Sequence, residues 1–257
     1  VVVNAYLGPI MQRYLQRLRP RLEAIGVVAP PHLTQSNGGV ISAETAGMES
    51  VRTILSGPAA GVTGALAVGA QTGAENLITF DMGGTSTDVA LIHGGRPQMA
   101  NNAEVHGHPL KVQMLNIHTV GAGGGSIARE DAGLLKVGPA SAGADPGPAC
   151  YGRGNEEPTV TDANVVLGIL NATHLLKGRL PIDAEAARRA VARLAERLGI
   201  GTTEAAQGIL RVVAANMVKA IRVISIERGH DPRDFTLMAF GGAGPLHSGQ
   251  LARELGV

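Results

Sequence analysis

Apolar positions along this chain change their period several times, and each change predicts an element. An opening amphipathic stretch puts Ile10, Tyr14, Leu15 and Leu18 on one helical face, with Pro9 near its start and a stop or kink at Arg19-Pro20. PPHLTQSNGGVIS breaks the period and reads as a loop that turns at Asn37-Gly38-Gly39. Ser56-Gly57-Pro58 signals the start of a small-residue helix over 59–69, able to approach a neighbour closely. NLITFDM and VALIHGG are short runs of strand formers separated by GGTSTD, the pattern of a β-hairpin. KVQMLNIHTV predicts another strand, which leads into GAGGGS.

The second half carries longer helical periods. Residues 138–160 are rich in Gly and Pro and predict a long ordered loop. Asp162 is a candidate cap for a helix over 163–170. Asp183 opens AEAARRAVARLAERL, which Gly199 closes. Thr202 or Thr203 opens the longest predicted helix, which runs to Arg228 and stops at Gly229. Its stripe is Ile209, Val213, Met217, Ala220 and Ile224. FTLMAF predicts a strand, GGAGPLH a loop and SGQLAREL a terminal helix. Strands alternating with helices predict an α/β or α+β fold with a mixed sheet, and no solenoid period is present.

Composition narrows the function classes. The 257 residues suit one large domain or two modest ones. Lys+Arg 22 balance Asp+Glu 21 without a basic run, so neither nucleic acid nor an anionic membrane is an expected partner. Aromatics at 2% leave few stacking surfaces. One cysteine excludes an intramolecular disulfide framework and suits a reducing cytoplasm. The first residue is Val, inside the apolar run VVVNAYL, so a fragment or a processed product is expected. Glycine is the anomaly: 36 of 257 residues is about twice ordinary usage. Long apolar stretches argue against disorder, and the glycines cluster where backbone turns sharply or meets a ligand.

Three clusters matter. Asp81-Met82-Gly83-Gly84-Thr85-Ser86-Thr87-Asp88 joins two strands, and its bare glycine amides and three hydroxyls suit a phosphate. The bracketing carboxylates suit a hydrated Mg²⁺ or the orientation of a nucleophile, while a capped tight hairpin is the plainer explanation. Gly121-Ala122-Gly123-Gly124-Gly125-Ser126 ends in Ser126 where a dinucleotide fingerprint needs glycine, and no P-loop motif exists. Phe240-Gly241-Gly242-Ala243-Gly244-Pro245 stands between a strand and a helix, a junction suited to an anion or a flat base, or simply to packing. His106, His108, His118 and Cys150 match no zinc spacing. Cys150 reads as a small buried residue, His247 as a neighbour of the third glycine loop, and Glu227 to Asp231 as a solvated helix end.

In order along the chain stand NAYLGPIMQRYLQRL, QSNGGVISAE, ILSGPAAGV, FDMGGTSTDVALI, HTVGAGGGSIA, GADPGPACYGRG, PTVTDANVVLG and FGGAGPLH. This set resembles the hydantoinase A/5-oxoprolinase family of the actin-like ATPase and sugar-kinase superfamily. The resemblance covers nearly the whole chain. Asn155 and Ser248 depart from it, where the family usually has glycine and alanine. It implies an α/β actin-like ATPase (ribonuclease H-like) fold, a mixed sheet flanked by helices, without the family's N-terminal domain and its first DxGGT motif. Residues 1–57 would be the tail of the first lobe and the crossover, and 58–257 the second lobe.

The resemblance also implies ATP and Mg²⁺ as cofactors. Asp81 and Asp88 would be catalytic, with Asp81 the metal ligand; Gly83, Gly84, Thr85, Ser86, Thr87, Gly123 and Gly124 would serve the phosphates, and Gly241, Gly242 and Gly244 the adenosine. The implied activity is hydrolysis of a cyclic amide of hydantoin or 5-oxoproline type, its carbonyl activated by phosphorylation. The alternatives are the ATP-binding subunit of a ketone carboxylase and a nucleotide-binding regulatory module without catalysis. A hydantoinase B-type partner subunit and a cytoplasmic location are expected.

Overall fold

Proline does not end the first helix. The computed structural model describes residues 1–100, 103–105 and 107–257, and in it α1 (Val2–Ala24) contains both Pro9 and Pro20. Each proline removes one helical donor, but both lie at exposed positions, where water replaces the lost bond. The buried face also differs from the expected one. Leu7, Met11, Leu15, Leu18 and Leu22 are half-buried, whereas Ile10 and Tyr14 are 50% and 56% exposed. The expected loop after α1 is a small hairpin: β1 (His32–Thr34) pairs antiparallel with β2 (Val40–Ser42) around the Asn37–Gly39 turn. Next come α2 (Ala43–Met48), capped by the Ser42 hydroxyl, and α3 (Ser56–Thr72), ended by Gly73 at φ +76°. A Cβ at Gly69 of α3 would lie 2.7 Å from the Ala74 carbonyl, so only glycine lets this helix end turn as it does.

The predicted hairpin is β3 (Leu77–Met82) and β4 (Thr87–His93), with β5 (Arg96–Pro97) antiparallel on β4. Two minor pairs follow: β6 (Met99–Ala100) with β9 (Met114–Leu115), and β7 (Ala103–Val105) with β8 (His108–Leu110). The single strand expected over KVQMLNIHTV is therefore divided between β9 and β10 (Ile117–Val120). β11 (Ser126–Asp131) and β12 (Leu134–Ser141) form a long antiparallel hairpin; β13 (His174–Leu175) pairs with β14 (Leu180–Pro181). β15 (Thr236–Phe240) completes a five-stranded sheet of order β10-β4-β3-β15, with β5 beside β4. As a central strand, β3 is buried along its length: Leu77, Ile78, Phe80 and Met82 are fully buried, and only Asp81 keeps partial access to solvent.

The helices that follow pack on one another, on the β11–β12 hairpin and on β15. α4 (Val160–Val166) starts earlier than expected because Thr159 caps it and Asp162 is the reciprocal partner three residues on. α5 (Ala184–Leu198) has the expected Asp183 cap and Gly199 stop. α6 (Thr202–Ile224) buries Ile209, Val213, Met217, Ala220 and Ile224 as expected. It ends before Arg228, since the buried Ser225 hydroxyl bonds back to the Ile221 carbonyl at 2.7 Å and a single 3₁₀ turn over Ile226–Arg228 leads to Gly229. Neither Thr202 nor Thr203 caps it; Gly201 holds that position. α7 (Gly244–Leu255) takes in Pro245, Leu246 and His247, which were expected in a loop, because proline near a helix start has the right φ and no donor to waste.

Packing divides the chain into two compact units, Val1–Leu77 with Ala90–Ile117, and Ile78–Val89 with His118–Val257. Residues 58–77 and 90–117 thus group with 1–57, so this division does not coincide with a boundary at 57/58. Among the described residues, no helix is long and apolar enough to cross a membrane.

Asp162 is fully buried and binds four donors: Thr159 N at 2.9 Å, Thr159 Oγ1 at 2.8 Å, Ala149 N at 3.1 Å and Cys150 N at 2.8 Å. Asp162→Ala strands these buried donors and should lower stability by about 3 kcal/mol or more, against about 1 kcal/mol for the exposed cap change Asp183→Ala; urea unfolding measures both.

Candidate functional site

All three glycine loops lie in the second unit. The loop over 83–86 leaves β3 and returns into β4. Gly83 N donates to Ser86 O at 3.0 Å and closes the turn, so the Gly83 amide is occupied. Gly84 and Thr85 are exposed, and the amides of Gly84, Thr85 and Ser86 have no protein acceptor among the described residues. A Cβ built on Gly84 meets nothing within 4 Å. This leaves a row of unfilled donors beside open space, with the Thr85 and Ser86 hydroxyls adjacent. Thr87 is placed differently: it is fully buried, and its hydroxyl donates to Ala122 O.

The second loop braces the first from beneath. Gly124 N donates to Gly83 O at 3.0 Å, Gly125 N to Gly84 O at 2.6 Å, and Gly123 N to Ser126 Oγ at 2.8 Å. A Cβ at Gly123 would lie 2.7 Å from the Gly84 carbonyl and the Thr85 carbon. Gly123 and Gly124 are buried, with their amides engaged inside the protein. Thr161 at the start of α4 holds Gly124 in turn, since its N and its Oγ1 each donate to Gly124 O at 2.8 Å.

The third loop meets the end of β3. Ala243 N donates to Met82 O at 2.9 Å. Gly241 has φ +83°, and any Cβ there would collide with Asp81 Oδ1 and Met82 O. Gly242 is exposed with nothing within 4 Å of a built Cβ, while Gly244 is buried and a Cβ there would lie 3.4 Å from Phe80 O. Asp81 thus lies between the first and third loops. Burial and then the neighbouring Asp88 carboxylate raise its pKa. Burial also raises the pKa of Asp88, opposed by a hydrogen bond from the Thr119 hydroxyl.

Other candidates fall outside this arrangement. Cys150 is fully buried, and burial, followed by the Asp162 carboxylate, pushes its thiol far above the normal range, so it is no thiolate nucleophile. His106 lies outside the described residues, and no three His, Cys, Asp or Glu side chains among the described residues form a metal cluster. His118 is half-buried on β10. His247 is 2% exposed, on the core face of α7 with Gly244, Leu251 and Leu255. Thr119, Thr161 and Asp162 were not singled out as supports of the site; only the Thr159-x-x-Asp162 spacing is a sequence signal for any of them.

The whole chain, residues 1–257, matches the family model described as hydantoinase/oxoprolinase, and the chain belongs to that family. It is 47% identical over 257 residues to caprolactamase subunit alpha of Pseudomonas jessenii, covering 99% of this chain and 37% of that subunit. The crystal structure of the ATP-dependent caprolactamase from Pseudomonas jessenii superposes with a TM-score of 0.83 at 47% identity, over 99% of this chain and 37% of that one. A nucleotide-free acetone carboxylase, from work on ATP-dependent acetone carboxylation, gives 0.87 at 32% identity over 94% of this chain and 34% of that one. The chain therefore spans about a third of the length of these relatives.

Burial lowers the His247 pKa to about 4, so its ring is neutral in the folded protein at neutral pH. In the unfolded chain the ring takes up a proton below about pH 6.5, which favours unfolding as pH falls from there towards 4. The expected loss across that window is on the order of 3 kcal/mol, and urea titrations at several pH values should show a shallower slope for His247→Leu.

Proposed function

We propose that this chain is the nucleotide-binding part of an ATP-dependent enzyme that opens a cyclic amide of hydantoin, 5-oxoproline or caprolactam type. The open amides of Gly84, Thr85 and Ser86, set beside Asp81 and the exposed Gly242, carry this reading. Phosphate oxygens would accept from those amides, and the adenosine would lie along Gly241 and Gly242. Gly123, Gly124 and Thr87 then act through the shape of the phosphate loop, because their own donors are engaged.

Asp81 and Asp88 fit a hard divalent cation such as Mg²⁺: both offer oxygen only, and burial with mutual repulsion makes added positive charge favourable. When bound, Mg²⁺ supplies charge neutralisation for the phosphates. Transfer of the terminal phosphoryl group to the amide oxygen would release ADP. Attack of one water at the amide carbon would then break the C–N bond, the ring nitrogen leaving as an amine with that water's protons. The carbon would remain as an acyl phosphate, which a second water would hydrolyse to carboxylate and phosphate. The chain's contribution is orientation of phosphates and pre-aligned donors, worth more than any covalent role.

The acetone carboxylase likeness favours one second reading, in which the same phosphorylation activates a ketone enolate for carboxylation. The relative named as a subunit supports a partner chain, for which we infer a hydantoinase B-type subunit in the cytoplasm.

Binding calorimetry and turnover on the full-length protein with its partner test the reading. Gly84→Val should lower ATP affinity at least about tenfold with little change in melting temperature, since the added methyls enter open space. Asp81→Asn should abolish lactam-dependent ATP hydrolysis. Wild-type ATP affinity in both variants would overturn the nucleotide assignment, and ATP hydrolysis indifferent to lactam would overturn the hydrolase.

A further inference from the structure

QSNGG, one of the motifs along the chain, is not used by the nucleotide loops. It lies in the first unit and borders a cleft of about 610 Å³ whose walls include Asn4, Gln35, Asn37, Arg52, Lys111 and Gln113. That volume is in the range of small-molecule sites.

The loop is held rigidly. Ser36 is buried; its N and Oγ donate to Arg52 O at 2.7 and 2.8 Å, and its carbonyl accepts from Leu115 N at 2.7 Å. Gln35 N donates to Gly39 O at 2.8 Å, and Asn37 Oδ1 accepts from Gly39 N at 2.9 Å. The α1 wall is fixed as well, because Asn4 donates to Met48 O at 2.8 Å and accepts from Val51 N at 3.0 Å. Against this fixed frame, Gln35 is only 9% exposed, yet its carboxamide has no hydrogen-bond partner among the described residues. Its amide nitrogen and oxygen keep some access to solvent, so they are open to a ligand that enters the cleft and replaces water there.

The chemistry of the walls selects that ligand. Arg52 is neutralised by an ion pair with Glu49, and Lys111 is exposed, so a buried anion would find little compensation. An apolar ligand would leave the carboxamide stranded. The complement of a planar group bearing one acceptor beside one donor is another such group in the opposite sense. Small-ring lactams hold N–H and C=O on the same edge, whereas a trans peptide bond points them apart. We propose that this cleft recognises the cis-amide edge of a cyclic amide, with Gln35 Oε1 accepting the ring N–H and Gln35 Nε2 donating to the ring carbonyl. The assignment rests on the cyclic-amide reading above and adds the residue that makes the distinction.

The test uses the full-length protein with its partner and no nucleotide. Calorimetry compares ε-caprolactam and 2-pyrrolidone, each beside its N-methyl derivative. A parent lactam should bind, its N-methyl form at least about tenfold more weakly, and Gln35→Glu, with the same shape but no N–H donors, should lose at least about tenfold for the parent. Equal binding of the N–H and N-methyl forms, no binding of either parent, or unchanged parent affinity in Gln35→Glu overturns the proposal. The wild-type comparison needs no variant to fold. Lactam-dependent ATP hydrolysis separates the levels: an unchanged lactam KM in Gln35→Glu removes the cleft assignment and leaves the enzymatic reading standing, whereas its absence from wild type removes both.

Discussion

Two backbone hydrogen bonds, Gly124 N to Gly83 O and Gly125 N to Gly84 O, hold the turn between β3 and β4 in the shape on which the rest of the site depends. They can form only because Gly123 lets one chain segment approach another to within backbone contact. With the carbonyls of the turn taken from below, its amides are left free above, which is the condition for anion capture. Thr161 extends the same logic outward by fixing Gly124 O, and the buried Asp162 network fixes the start of α4 beneath it. The order of dependence therefore runs from a buried carboxylate, through a helix terminus and a bracing loop, to an exposed turn.

The elements that sequence predicted well are those with strong local causes. α5 has an Asp cap, a 3.6-residue apolar period and a glycine stop, and it appears between the expected residues. β3 reads as a continuous apolar run because its neighbours bury both faces. Where tertiary context decides, local signals fail. Pro20 lies within α1 because the position is exposed, and α6 ends at Ile224 because one serine hydroxyl competes for a helical carbonyl. The face of α1 was misread since Ile10 and Tyr14 share its period without being covered.

The candidate site was legible as composition before it was legible as geometry. Glycine clusters marked all three loops, but only distances separate those that leave amides open from those that consume them. Thr87 and Thr85 are two positions apart in one motif, yet one hydroxyl is committed to Ala122 and the other faces solvent. Thr85 lies in the exposed turn, whereas Thr87 is the first residue of β4, where the chain has re-entered the buried sheet. Gln35 was visible only as part of a motif; its significance comes from lining a cleft without a protein partner for its carboxamide.

The contact between Gly241 and Asp81 also bears on how such a protein can change over generations. At Gly241 any side chain strikes the carboxylate, so drift in the third loop is registered at once in the first. Gly84 and Gly242 are under no such restraint from the fold. A codon change at either position can therefore add a side chain at the surface of these loops and still yield a well-folded chain. Both positions are free to drift in a way that Gly241 is not.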